Sequence, residues 1–289
     1  MIKAVRMRFF LYCLLSFCLL NGVSAAAEKL GLQVEHPLIS TVGEPFLLKV
    51  DNHEGTLEDL RVVWLDKTLS LRGQGGQARL LLPTPLSVKE KVLPLLLFSA
   101  DGFRVYSAEI GIIPREFGEQ SLTVDPNFVH PPREELARIE RERLRTRAVY
   151  ASFTPVNYLR LPLLRPLPGV ITGEFGVRRL FNKQPRSMHR GVDFRAAEGA
   201  EIKAVSPGRV ALVDSQYYAG NIVIVDHGLG VYSSYMHMLE ARVREGEMVE
   251  AGTLLGLAGK SGRVTGPHLH LGFVVQEEHQ TPAPFMPDL

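Results

Sequence analysis

Cysteine is almost missing from this 289-residue chain: there are two, Cys13 and Cys18. Both lie close to the N-terminus, so the bulk of the protein has neither a disulfide framework nor thiol chemistry. A surplus of one charge is lacking too. Lys and Arg number 33 against 31 Asp and Glu, and the excess sits in Lys3, Arg6 and Arg8. Without the first 27 residues the balance is 30 to 31, which argues against a nucleic-acid-binding surface. No His-Glu-x-x-His occurs, which excludes the helical zinc site with a glutamate base. The one long apolar run, Phe9 to Leu20, falls short of the roughly 20 residues that span a bilayer.

That run has a meaning of its own. A basic start, an apolar stretch and the small residues Val23-Ser24-Ala25-Ala26-Ala27 make the layout of a secretory signal peptide. Residues 1–27 are therefore expected to be removed, leaving an exported protein with no stable membrane insertion. Phe17 before Cys18 does not suit lipidation.

Hydrophobic content of 45% is enough for a sizeable core, and the pattern predicts two β-rich parts. Residues 28–125 hold short apolar runs, Leu32 to Val34, Phe46 to Val50, Leu60 to Leu65, Arg79 to Leu82, Leu93 to Phe98 and Val105 to Ile113. Turn residues such as Asp101-Gly102 separate them. Strands at this spacing with no helix between them predict an immunoglobulin-like β-sandwich. Trp64 is expected in its core and no chemistry is expected there, so the sandwich is read as an accessory domain that could meet an envelope protein partner. Residues 126–168 predict a charged, solvated helix after Pro131-Pro132, then a proline-rich strap with the reach to cover a neighbouring groove.

The chemistry-bearing residues gather in residues 169–289. His189-Arg190-Gly191-Val192-Asp193 opens the stretch, Tyr235-Met236-His237 lies inside it, and Gly266-Pro267-His268-Leu269-His270 closes it. If His189 to Asp193 is a strand, its period of two points His189 and Asp193 the same way. His268 and His270 share a face by the same rule, with Leu269 and Leu271 turned to the core. Val231, Ser233, Tyr235 and His237 are expected together on one face of a third strand. Any one of nine histidines could be a hydrogen-bonded core residue. This constellation, with a carboxylate among imidazoles, has the donors for one metal ion.

In these motifs the segment resembles the lysostaphin-type (LytM-like) zinc endopeptidases, which include murein DD-endopeptidases. The resemblance covers about the last 110 residues. It implies an antiparallel β-domain holding one Zn2+ per chain through His189, Asp193 and His270, with His237 and His268 as catalytic, non-ligand histidines. It implies hydrolysis of peptide crosslinks in bacterial peptidoglycan through a zinc-activated water, in the periplasm or cell envelope. Members of the same fold that have lost zinc ligands serve as non-catalytic amidase activators or wall-binding modules; here no ligand position is damaged. The basic run Arg178, Arg179, Lys183 and Arg186, leading into His189, is a candidate reader of substrate carboxylates.

Overall fold

The computed structural model describes residues 31–289 apart from 53–56, 58, 59, 72 and 74. The expected signal peptide, Cys13, Cys18 and His53 lie outside the described residues. Among those described, the chain is mostly β with one α-helix.

The N-terminal strands form two sheets. Strands β1 (Leu32–Glu35), β3 (Phe46–Asn52) and β6 (Gln77–Leu82) make one. The other runs in the order β2 (Ile39–Thr41), β8 (Arg104–Ile113), β7 (Val92–Phe98), β4 (Leu60–Trp64) and β5 (Lys67–Leu71). Alternate residues of both sheets, among them Leu48, Val50, Leu80, Val62, Leu95 and Ile110, meet in one core. Trp64 is 1% exposed, with Nε1 donating to the Pro83 carbonyl at 2.6 Å. It is a core residue, as its sequence context predicts.

Strand β9 (Glu119–Leu122) lies inside the stretch assigned by sequence to the first domain. It nevertheless pairs in parallel with β11 (Arg178–Phe181), and β12 (Gln184–Met188) completes that sheet. Helix α1 (Arg133–Ala151) follows. It is solvated as expected, and polar contacts dock it: Arg145 reaches Asp214 and Glu245, and Glu142 accepts from the Tyr217 amide at 2.8 Å. The strap beyond it differs from expectation. Leu163 and Leu167 are buried in the C-terminal core, and the Leu164 amide donates to Val205 at 2.8 Å. Apolar side chains between the prolines anchor the strap there, so none of residues 157–168 borders the cleft described below.

The C-terminal sheet is antiparallel, in the order β10 (Ile171–Gly173), β13 (Val192–Arg195), β20 (His268–Val275), β17 (Val231–Ala241), β16 (Gly220–Gly228), β15 (Gly208–Gln216) and β18 (Met248–Val249). Strands β14 (Glu201–Lys203), β19 (Leu254–Ala258) and β21 (Glu278–Gln280) pair beside this path. One face packs Phe194, Leu269, Leu271, Tyr235 and Val223 into the main core. On the other, Tyr150 of α1 covers Ile222, Ile224, Tyr232 and Val274.

A polar chain runs through the main core. The Val205 amide donates to the Tyr235 hydroxyl at 2.9 Å, and Ser233 Oγ lies 3.0 Å beyond it. His227 then links Ser233 Oγ, 2.8 Å from Nε2, to the Pro207 carbonyl, 2.6 Å from Nδ1. Burial pushes the His227 pKa down from 6.5 to about 4. Because the folded value is depressed, this contribution to stability is complete above pH 6.5 and falls away as pH drops toward 4. Such a shift corresponds to about 3 kcal/mol. In thermal melts, His227→Gln is expected to lose less Tm between pH 7.5 and pH 4.5 than the unaltered protein. An equal loss would remove His227 from the acid response.

Candidate metal centre and catalytic cleft

Strand register assembles the centre. Asp193 on β13 lies directly across from His270 on β20, so the two side chains rise on one face. His189 arrives differently from the expected continuous strand. It follows β12, and a bend at Gly191 turns the chain into β13. A Cβ on Gly191 would lie 2.4 Å from the Leu271 carbonyl and 2.6 Å from His270 Nε2, so only glycine allows this approach. The bend, not strand alternation, carries His189 to Asp193.

Asp193 Oδ1 lies 3.0 Å from His189 Nε2 and 2.9 Å from His270 Nδ1, and those two nitrogens are 3.0 Å apart. His189 Nδ1 is 2.7 Å from the Glu174 carbonyl, to which it donates its proton. Its Nε2 then carries a lone pair aimed at a carboxylate oxygen. Two acceptors facing at that distance repel unless a cation lies between them, so this donor set fits a divalent metal ion. Burial opposes the Asp193 charge, yet the imidazoles of His189 and His270 set against Oδ1 hold its pKa well below the usual carboxylate range. Burial pushes His270 down to about 4, against the pull of Asp193. Both are thus in the protonation state that a metal ligand needs.

Arg179 completes the ring of support. Its guanidinium pairs with Asp193 Oδ2. Sequence reasoning placed Arg179 with Arg178, Lys183 and Arg186 as readers of substrate, and that grouping is corrected here. Arg179 is committed to Asp193, Arg178 and Lys183 do not border the cleft, and the Arg186 side chain lies outside the described residues. The alternation of β11 turns Arg179 inward and Arg178 out to solvent.

His237 is also reached by a different route. Simple alternation would set it on the face of Tyr235, which is in the main core. A left-handed backbone at His237, φ 65°, breaks that alternation within a stretch of shifted pairing. The imidazole is thereby delivered to the opposite face, beside His268 at 4.8 Å between ring centroids. Such a conformation costs a non-glycine residue about 1 kcal/mol or more. His237 Nδ1 lies 2.9 Å from the Ser261 carbonyl, and His268 Nδ1 lies 2.9 Å from the Gly266 carbonyl. Each ring therefore keeps an Nε2 lone pair for the cleft. Burial, helped by the neighbouring imidazoles, lowers the His237 pKa to about 3 and keeps it neutral.

All five residues singled out in the sequence border one cleft of about 950 Å³. Its far wall is α1, through Ile139, Glu142, Arg143, Thr146, Arg147 and Tyr150. Sequence reasoning missed this wall, although those positions fall at i, i+3, i+4, i+7, i+8 and i+11, one helical face.

A buried His-Asp-His set, with two further histidines beside it on an antiparallel sheet, fits a metal site. The chain carries a domain of peptidase family M23, whose model matches residues 187–282. Over 107 residues it is 36% identical to the peptidoglycan DD-endopeptidase ShyA of Vibrio cholerae serotype O1, covering 37% of this chain and 25% of the relative. It is 36% identical over 105 residues to lysostaphin of Staphylococcus simulans, covering 34% of this chain and 21% of the relative. The matched stretch thus spans about a quarter or less of these curated relatives. A crystal structure of a candidate M23 peptidase from Pseudomonas aeruginosa superposes with a TM-score of 0.67 at 26% identity, covering 88% of this chain and 96% of that one.

Proposed function

We propose that this protein is a zinc-dependent endopeptidase that hydrolyses peptide crosslinks of bacterial peptidoglycan in the cell envelope. One observation carries the proposal: the convergent donors of His189, Asp193 and His270 share a cleft with two non-ligand imidazoles whose Nε2 atoms face it. His189, Asp193 and His270 would hold one Zn2+, which supplies positive charge to polarise an amide carbonyl and to acidify water.

The chain's own groups then handle protons. Neutral Nε2 of one of the pair, His237 or His268, accepts a proton from the attacking water as oxygen adds to the carbonyl carbon. An imidazolium of the pair returns a proton to the leaving nitrogen as the C–N bond breaks. One water is consumed, and a carboxylate and an amine are released. Arg179 keeps Asp193 oriented and charged, and Glu174 fixes the His189 tautomer.

The D-alanyl–diaminopimelate crosslink is the substrate this reading favours; the relative ShyA is named a peptidoglycan DD-endopeptidase. Residues 28–125 form the accessory domain, of immunoglobulin type, and residues 169–289 the peptidase domain. Purified protein should contain one zinc per chain and release new diaminopimelyl amines from walls that carry this crosslink. Metal-free protein with no such release, yet able to stimulate an amidase, would favour the activator reading instead.

A further inference from the structure

Most charged groups along the cleft are already neutralised by neighbours. Lys67 pairs with Glu277 at 2.9 Å, Arg143 with Glu140 at 2.6 Å, and Glu142 with Arg138 at 2.7 Å. Arg179 is taken by Asp193. Arg147 on α1 and Arg190 beside His189 border the cleft without a carboxylate within ion-pair distance among the described residues. Glu278 feels the charges of Lys67 and Arg190, but burial pushes its carboxyl above the ordinary value.

Beneath these two guanidinium groups the floor is unsatisfied. The Tyr150 hydroxyl and His279 Nδ1 are buried with no hydrogen-bond partner. Their rings meet edge to face at 5.8 Å, and both residues line the cleft. Ser234 Oγ faces the Tyr150 hydroxyl closely enough to temper its pKa, although no bond of normal geometry joins the two. Native proteins seldom leave buried hydroxyls and ring nitrogens unpaired, and a cluster of them in a binding cleft awaits a polar group from outside. Arg147 precedes Tyr150 by three residues and so shares its helix face, while Arg190 is close enough to His279 to depress its pKa further after burial. All four residues border the one cleft.

We infer that Arg147, Arg190 and Tyr150 form a subsite for a free carboxylate of the substrate peptide. A carboxylate accepts from two guanidinium groups and a phenol at once, which neither a carboxamide nor an alkyl group can do. The subsite rests on the endopeptidase reading and adds a selection rule to it: acidic stem peptides are bound in preference to amidated ones.

The test uses two synthetic crosslinked peptides, identical except that the diaminopimelyl carboxylate beside the crosslink is free in one and amidated in the other. With zinc-loaded full-length protein, KM for the free acid should be about 10- to 100-fold lower, with similar kcat. Arg147→Gln and Arg190→Gln should each erase most of that difference by raising KM for the acid alone, and Tyr150→Phe should do so in part. Equal KM for the two peptides, or variants that shift both alike, would overturn the subsite. No cleavage of either peptide would sink the endopeptidase reading; calorimetric titration of the same pair would then read the subsite by itself. A preference for the acid in that titration supports it, and equal Kd values refute it.

Discussion

His189→Ala, Asp193→Asn and His270→Ala are each expected to abolish both zinc binding and crosslink hydrolysis. The three donor atoms sit within 3.0 Å of one another, and among the described residues no other carboxylate or imidazole is as close to that point. His268 Nε2, the next donor, is 3.9 Å from Asp193 Oδ1. Asparagine is the informative change at Asp193, because alanine would also strand the Arg179 guanidinium, whose side chain is only 14% exposed. Arg179→Gln supplies a graded control. Loss of such a supporting partner should weaken zinc by about 10- to 100-fold, whereas loss of a ligand should exceed that. Metal analysis after dialysis, with circular dichroism to verify folding, separates these outcomes. Stoichiometric zinc with normal turnover in any of the three variants would refute the ligand assignment.

His237→Ala and His268→Ala should behave in the opposite way, keeping zinc while losing about 10²- to 10⁴-fold in kcat, the usual worth of a positioned acid or base. Both rings spend Nδ1 on backbone carbonyls and reserve Nε2 for the cleft, which is an arrangement for moving a proton. At position 237 a second effect is superimposed. The left-handed backbone there, φ 65°, suits Asn or Gly better than Ala. His237→Asn should therefore fold as well as the parent and still be nearly inactive. If either variant lost its zinc, a ligand had been mistaken for a proton carrier.

The centre was legible in sequence because most of it is written in short-range spacing. His-x-His on a strand puts two imidazoles on one face, and the intervening Leu269 is fully buried on the other. His237 borders the cleft, but by a route that alternation does not predict. A period of two predicts company with Tyr235, and only a left-handed residue, invisible to propensity, sends it across the sheet. Helix α1 is solvated as its charges predict, but nothing in its sequence marks which face lines the cleft. Its apolar residues Leu136 and Leu144 are each 50% exposed, while the face turned to the cleft carries Glu142, Arg143, Thr146 and Arg147. The prolines of residues 155–168 by themselves predict an extended strap with the reach to cover a groove. The burial of Leu163 and Leu167 depends on a tertiary partner that composition does not reveal. Strands β2 and β5 escaped notice because three- and five-residue segments with Ser, Thr and Lys give weak alternation.

The N-terminal sheets and the peptidase sheet are locked together at several points. Leu81 of β6 packs in the C-terminal core, and Leu229 packs in the N-terminal one. The Thr84 amide donates to Gln280 at 2.9 Å, and the Thr281 amide donates to the Gly43 carbonyl at 2.8 Å. Flexible tethering raises local concentration by letting one module search while the other holds on. An interlocked pair cannot work like that. Whatever surface the N-terminal sheets touch, the cleft inherits its bearing from that contact, so the protein would meet a mesh at a set angle and distance, as a fixed blade does, and would cut only strands that cross its edge.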